Sequence, residues 1–228
     1  MSSVDGVVAL DMKHSPGVIS GHNEADRFVM GLLRARADAV LIGGGTMRAD
    51  PGHAWTAGYI YPEAAEEFRE LRRSHDQADG PRLVVLTASG DIEPNEPALD
   101  GALVVTTPDT ERELVRRLPS SASVRSLDPV TPSGLVALLR EEGLDLVLSE
   151  AGPAVLGQLV ASDCLDDLFL TVSPALAGSA IPGRKTLSQG FALREGLDAM
   201  ELSSARRHGS HLLLRYRRQR TGSADNRR

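Results

Sequence analysis

Two glycine-containing segments, each directly after a run of apolar residues, are the strongest candidates for a binding site. The first reads A-V-L-I-G-G-G-T over residues 39–46, and the second reads L-V-L-S-E-A-G-P over residues 146–153. Glycine lets the backbone approach a ligand closely, and free N–H groups at the start of a following helix attract an anion such as a pyrophosphate. Neither segment matches G-x-G-x-x-G with a distant acid, nor the P-loop with its lysine. Each segment alone therefore fits a tight turn as well as a ligand site.

Three carboxylates and one guanidinium are the candidates for holding a polar ligand. Asp5 lies in a predicted first strand, Asp50 follows the first glycine segment, Glu150 ends a predicted strand, and Arg34 ends a predicted helix. A carboxylate at a strand terminus is placed to bind a polar ligand or to tune a proton, and an arginine suits an anionic substrate. The structural alternatives are turn formation for Asp5 and Asp50, capping of backbone donors for Glu150, and favourable placement at a helix C-terminus for Arg34.

The other reactive side chains do not form a recognisable catalytic set. None of the six histidines pairs with another at the i, i+4 spacing of a zinc hydrolase, and there is no G-x-S-x-G segment. His53, beside Trp55, is placed to face a ligand, but a solvated loop histidine is the favoured interpretation. Cys164 has no evident histidine partner and is expected to be a small core residue. We predict no metal site.

The elements that must position these residues alternate between short apolar runs and amphipathic stretches. Predicted strands cover residues 4–10, 38–43, 82–87, 102–106, 123–127, 144–149 and 167–172, followed by a hairpin of 201–208 and 211–218. Predicted helices cover residues 22–36, 62–75, 110–118, 131–142 and 153–161. This order indicates a mixed sheet with helices on its faces. Ligands of such sheets bind beyond the carboxyl ends of the strands, where both glycine segments lie.

Composition restricts the class of protein. The 228 residues are 41% hydrophobic and 25% charged, the balance of an ordinary globular protein. A net charge of −6 and 4% aromatic residues argue against nucleic-acid binding. A single cysteine excludes a disulfide within the chain and a cysteine-rich zinc site. No apolar run approaches the roughly 20 residues of a membrane span, and no leader pattern is seen, so a cytoplasmic protein without membrane partners is expected.

A series of short motifs carries a resemblance to a known family. They are S-V-D-G at 3–6, V-I-S at 18–20, L-R-A-R-A-D-A at 33–39, G-G-G-T-M-R-A-D-P at 43–51, E-A-G-P at 150–153, D-D-L at 166–168 and S-P-A-L-A-G at 173–178. In this order they resemble the riboflavin-biosynthesis reductase family, the C-terminal domain of bacterial bifunctional deaminase–reductases, which is related in fold to dihydrofolate reductase. The resemblance extends over nearly the whole chain.

The resemblance implies an α/β, dihydrofolate-reductase-like three-layer sandwich. In this fold a mixed, mainly parallel sheet has helices on both faces and a C-terminal antiparallel hairpin. It also implies an NADPH-dependent, homodimeric reductase of a small-molecule substrate. The implied cofactor-binding residues are Gly43, Gly44, Gly45, Thr46, Asp50, Gly152, Pro153, Ala154, Val155 and Leu156. The implied substrate-binding residues are Ser20, Arg34 and Glu150, and Asp50 is the expected catalytic residue, orienting groups near the nicotinamide.

The expected reaction is that of 5-amino-6-(5-phosphoribosylamino)uracil reductase. The sequence departs from the family pattern after Asp50-Pro51, where G-H-A-W-T-A replaces a segment that carries a phosphate-binding arginine. Two alternatives therefore stay open: a dihydrofolate- or pterin-type reductase, and a non-catalytic NADPH-binding protein of the same fold. We expect one stand-alone reductase domain over residues 1–218, without a deaminase, and a disordered tail over residues 219–228.

Overall fold

The computed structural model of the chain describes residues 1–10, 15–178, 180, 182–190 and 199–219. Its strands are β1 (Val7–Ala9), β2 (Ala39–Gly43), β3 (Arg82–Leu86), β4 (Leu103–Thr106), β5 (Ser123–Ser126), β6 (Val147–Ser149), β7 (Asp167–Val172), β8 (Lys185–Thr186), β9 (Met200–His208) and β10 (His211–Arg218). Its α-helices are α1 (Ser15–Ser20), α2 (Glu24–Arg36), α3 (Gly44–Ala49), α4 (Ala57–Ile60), α5 (Ala65–Arg73), α6 (Pro108–Arg117), α7 (Pro132–Glu141) and α8 (Pro153–Ala161).

A five-stranded parallel sheet in the order β5-β4-β3-β2-β6 forms the centre of the molecule. Strand β2 pairs in parallel with β3 on one side and with β6 on the other. Four of its five residues are buried, and β4 is buried throughout. Strands covered on both faces need apolar residues at successive positions, which explains the continuous Val, Ile and Leu runs in the sequence.

The two faces of this sheet are covered by different helices. On one face Val40, Ile42 and Val85 pack in a cluster with Leu114 of α6. On the other face the alternate strand residues, Leu41, Val84 and Leu103 among them, pack with Leu135 and Leu139 of α7. Side chains alternate between the faces of a strand, so each strand contributes to both layers of core.

The C-terminal strands form a second, antiparallel sheet in the order β7-β10-β9. The predicted hairpin is present, with Gly209 in the left-handed region (φ +58°) at its turn. Strands β1 and β8 form a further short antiparallel pair. The fold class is confirmed: a parallel sheet lies between helices and an antiparallel C-terminal sheet is added to it. No helix in the described part of the chain is long and apolar enough to cross a membrane.

The differences from the sequence prediction lie in the short elements. The segment after β2 was expected to be a glycine loop, but Gly44 is already the first residue of helix α3, with Gly43 as its N-cap. The predicted helix from Pro62 begins as a 3₁₀ turn over Pro62–Ala64 and becomes α-helical at Ala65. Helices α1, α3 and α4 were not predicted, because four to six residues are too few to show a helical period. Of the predicted tail, only Gln219 belongs to the described residues.

Candidate functional site

The two glycine segments meet at one edge of the parallel sheet. Strands β2 and β6 are neighbours, with Leu41 opposite Ser149. The pairing continues one step further, where the Glu150 amide donates to the carbonyl of Leu41 over 2.9 Å. Gly43 is the N-cap of helix α3 and Gly152 is the N-cap of helix α8. The carboxyl ends of both strands therefore present a glycine and a helix start side by side.

The glycines of this edge differ in the space around them. A Cβ atom at Gly43 or at Gly152 would meet no atom within 4 Å, and neither residue has a positive φ. At Gly44 a Cβ atom would lie 3.2 Å from Oγ1 of Thr87, the residue that follows β3. Gly44 therefore serves close packing between α3 and the end of β3. Gly43 and Gly152 leave open surface that a ligand can occupy.

Helix α8 offers few backbone donors at this edge. Pro153 is its first residue and has no N–H group. The amides of Val155 and Leu156 already donate to the Gly152 carbonyl over 3.0 and 3.2 Å. Helix geometry gives the Ala154 amide no acceptor within the helix, and Ala154 is exposed. Of the five predicted residues in this segment, Gly152 and Ala154 are thus the best placed to face a ligand.

Arg34 and Glu150 form a bidentate ion pair behind the glycine edge. Nε of Arg34 donates to Oε1 of Glu150 over 2.7 Å, and Nη2 donates to Oε2 over 2.8 Å. The Arg34 side chain is 3% exposed, whereas that of Glu150 is 13% exposed. The Nη1 atom of Arg34 donates to the carbonyls of Ala54 and Thr56. With its donors bound inside the protein, Arg34 orients Glu150, which retains the more accessible surface of the two.

Asp50 is the C-cap of helix α3, which follows β2 at this edge of the sheet. Its side chain is 51% exposed, and Oδ2 lies 2.8 Å from Nδ1 of His53. Thr46, on the same helix, is partly exposed. Asp50 therefore has surface available for a ligand while one of its oxygens is held by the protein.

His53 is not the solvated loop residue that the sequence favoured. Its side chain is 14% exposed, and its ring centroid lies 4.8 Å from that of Trp55 and 4.6 Å from that of Tyr59. Burial, together with the charge of Arg34, lowers the pKa of His53, and Asp50 opposes this shift. The two aromatic residues within six positions of His53 were the available signal that the ring is packed.

Ser20 and Asp5 are held by backbone groups. Ser20 is buried; its hydroxyl donates to the Gly17 carbonyl and accepts from the His22 amide, both over 3.0 Å. Asp5 accepts from the Ser3 hydroxyl over 2.6 Å and from the amides of residues 177 and 178. These bonds, with that of Ser3 the strongest, lower the pKa of Asp5 to about 2. Asp5 thereby ties the S-V-D-G motif to the S-P-A-L-A-G motif.

Sequence reasoning missed one carboxylic acid near this site. Asp26 lies on α2, about two turns before Arg34. Burial raises the pKa of Asp26, with a smaller contribution from the charge of Glu150, and the Thr171 side chain of β7 opposes this shift. Its position in the first turn of a helix made it look like an ordinary acidic residue at a helix start.

Comparison with known proteins gives one family. The sequence model described as "RibD C-terminal domain" matches residues 1–214. No curated protein matches the sequence.

Several solved structures share the fold. A pyrimidine reductase-like protein from Corynebacterium diphtheriae superposes with a TM-score of 0.77 at 18% identity, covering 96% of this chain and 89% of that one. The deaminase/5-amino-6-(5-phosphoribosylamino)uracil reductase of Thermotoga maritima gives 0.71 at 20%, covering 96% of this chain and 54% of that one. The riboflavin biosynthesis reductase Rib7 of Saccharomyces cerevisiae gives 0.60 at 18%, covering 96% and 86%. This chain thus spans about half of the bifunctional Thermotoga protein.

Proposed function

The chain belongs to the family of the RibD C-terminal domain, whose members are reductases of riboflavin biosynthesis, and we propose that it reduces 5-amino-6-(5-phosphoribosylamino)uracil with NADPH. The observation that carries the proposal is the arrangement at the ends of β2 and β6. Two open glycines lie beside a carboxylate, Glu150, that a buried arginine holds in one orientation. Such an edge suits a phosphate-containing ligand next to a polar one.

The residues of this edge fit a dinucleotide. The absence of any atom within 4 Å of a Cβ at Gly43 and Gly152 leaves room for a pyrophosphate to lie against the backbone. Thr46 supplies a hydroxyl and Ala154 an amide on either side of that surface. We assign Gly43, Gly44, Gly45, Thr46, Asp50, Gly152, Pro153, Ala154, Val155 and Leu156 to the cofactor side of the site, with Gly44 and Val155 acting through packing.

NADPH, when bound, supplies the hydride. The chain's own contribution is to bind and orient. Glu150, fixed by Arg34, accepts hydrogen bonds from the substrate, and Asp50 orients groups at the nicotinamide end. Ser20 shapes the substrate side through the α1–α2 turn, since its hydroxyl is committed to backbone groups. Such a reaction needs no protein nucleophile and no metal, because the protein supplies position and electrostatics only.

Cofactor binding is tested with alanine in place of the open glycines. Gly43→Ala and Gly152→Ala should leave the thermal unfolding temperature nearly unchanged, because each Cβ enters open space at a negative φ. Both should weaken NADPH binding in a calorimetric titration by about tenfold, since the Cβ fills the surface assigned to the pyrophosphate. Gly80→Ala is the matched control: its Cβ would make an ordinary contact, 3.8 Å from Thr56, and it precedes the opposite end of β3. Unchanged NADPH affinity in both site variants would contradict the assignment.

A second candidate function is favoured by the segment after Pro51. It carries His53 and Trp55 where the family pattern has a phosphate-binding arginine. A dihydrofolate- or pterin-type substrate has no ribosyl phosphate and does not need that arginine. Steady-state assays with both substrates separate the two, and a preference for dihydrofolate would overturn the riboflavin assignment. NADPH binding without turnover of either substrate would instead indicate a non-catalytic binding protein.

We further propose a homodimer, acting in the cytoplasm as a metabolic reductase. Support for the dimer comes from the face of the β7-β10-β9 sheet that points away from α2. This face carries apolar residues from all three strands, Leu170, Leu214 and Leu202 among them, although Arg207 lies opposite Leu212 on the same face. Leu202 is 50% exposed, and Leu212, further along the same face, is 43% exposed. A contiguous apolar face of this kind is typical of a protein–protein interface.

A further inference from the structure

One histidine ring connects the two charged parts of the site. Nδ1 of His53 lies 2.8 Å from Oδ2 of Asp50, and Nε2 lies 3.3 Å from Nη2 of Arg34. Arg34 in turn holds both oxygens of Glu150. The ring thus lies between the carboxylate assigned to the cofactor side and the ion pair assigned to the substrate side. Packing against Trp55 and Tyr59 keeps it there.

The two contacts determine where the proton of this ring lies. A guanidinium nitrogen only donates hydrogen bonds, so Nε2 of His53 must accept from Arg34 through its lone pair. The proton of the neutral imidazole then lies on Nδ1, from which it is donated to Asp50. A ring protonated on Nε2 alone would present an N–H group to the guanidinium and a lone pair to the carboxylate. Only the neutral Nδ1–H tautomer makes both contacts.

We propose that neutral His53, protonated on Nδ1, is a positioning residue that fixes Asp50 and the Arg34–Glu150 pair relative to each other. This inference rests on the proposed function, because it is the reductase reaction that needs both carboxylates in place. The effect of His53 is exerted through Asp50 and Arg34, not through contact with the reacting atoms.

The charges around the ring determine the pH range in which His53 contacts both Asp50 and Arg34. His53 faces Arg34 from α2, Asp50 from the end of α3, Tyr59 from α4 and Glu150 from the loop after β6. Burial and the charge of Arg34 disfavour the imidazolium, whereas the carboxylates of Asp50 and Glu150 favour it. Burial and Arg34 have the larger effect, so the pKa of His53 is lowered. The ring is therefore neutral at neutral pH. Protonation in acid puts an N–H group against the guanidinium and breaks the contact with Arg34 while that with Asp50 persists.

Two variants separate the contact of His53 with Asp50 from its contact with Arg34. His53→Asn keeps an N–H donor at the position of Nδ1 but has no acceptor for Arg34. His53→Gln reaches the position of Nε2 with an amide oxygen but has no donor for Asp50. We expect each to lower kcat/KM about tenfold, mainly through kcat, and to abolish the acid limb of the pH profile that His53 produces. His75→Asn is the matched control, since His75 is an exposed histidine on another surface, and it should behave as the wild type.

Nitrogen NMR of the histidines in the wild-type protein gives a readout that does not depend on activity. We expect His53, identified by its loss in His53→Asn, to carry its proton on Nδ1 at neutral pH and to titrate below the ordinary histidine range. An Nε2–H tautomer, or wild-type kcat/KM with an intact acid limb in both variants, would overturn the proposal. A wild-type protein that shows this tautomer but no NADPH turnover would contradict the proposed function, and the two contacts of His53 would still be established.

Discussion

At the scale of single residues, the site depends on side chains that hold other side chains. Arg34 was expected to bind an anionic substrate, but its donors are directed to Glu150, His53 and two backbone carbonyls. A sequence gives the identity of such a residue and not its partner, because Arg34 and Glu150 are 116 positions apart. The motif that contains Glu150 was nevertheless found, since it follows an apolar strand.

The first prediction concerns this ion pair. Arg34→Met leaves the Glu150 carboxylate without its partner in a mostly buried place, so the free energy of unfolding should fall by about 3 kcal/mol. Urea denaturation measures the change. The double variant Arg34→Met/Glu150→Gln should recover part of the loss, because no buried charge is then left unpaired. A single variant as stable as the wild type would show that the pair does not stabilise the fold.

The second prediction concerns the contribution of Asp5 to the stability of the fold at low pH. The pKa of Asp5 is about 2 in the folded protein against an ordinary 3.8, so its contribution to stability is present above about pH 4 and is lost as the pH falls towards 2. Asp5→Asn should therefore be less stable than the wild type at neutral pH, and the difference should shrink between about pH 4 and pH 2. Thermal unfolding at a series of pH values measures it. A difference that does not change with pH would contradict the role given to Asp5.

At the scale of elements, the long ones were predictable and the short ones were not. The strands β2, β3 and β4 are recognisable as apolar runs, and α2 by its helical period. In the structure Asn23 caps α2, and its side chain accepts from the Asp26 amide over 3.1 Å. Helix α3 carries two glycines and no period, so local sequence favoured a turn there. Its helical form comes from packing, with Met47 buried in the core.

The third prediction tests the contact between α2 and α5. A Cβ atom at Gly31 of α2 would lie 2.7 Å from a ring carbon of Phe68 on α5, which is buried. Gly31→Ala should therefore lower the free energy of unfolding by about 1–3 kcal/mol, although alanine is the better helix former. In the background of Phe68→Leu the same change should cost less, because the ring is gone. A stabilising Gly31→Ala would mean that the two helices are not closely packed at this point.

At the scale of the whole molecule, the proposed site lies at an edge of the parallel sheet, and the proposed dimer face lies on the antiparallel sheet. Within the described residues, the strands β7, β9 and β10 have few buried positions, although β7 and β10 each contain a run of successive apolar residues. Successive residues of a strand point to opposite faces, so the sequence tells which residues share a face but not what covers that face. The fold class was therefore within reach of the sequence, whereas the assembly is a proposal.

The fourth prediction tests this assembly. Leu202→Glu places a charge on the apolar face, and light scattering should report a smaller particle than for the wild type, with an unchanged circular dichroism spectrum. Arg206→Glu is the control, since it changes a charge on the opposite face of the same exposed strand. Equal masses for the wild type and the Leu202 variant would contradict a dimer formed through this face.

Hydride transfer from NADPH to the pyrimidine is the reaction that decides the proposed function. The protein is incubated with deuterium-labelled NADPH and 5-amino-6-(5-phosphoribosylamino)uracil, and the pyrimidine product is analysed by mass spectrometry. We predict stoichiometric oxidation of NADPH and a ribitylamino product that carries the deuterium, with both lost in Glu150→Gln. A protein that binds NADPH but leaves the pyrimidine unreduced and unlabelled would contradict the proposed reductase activity.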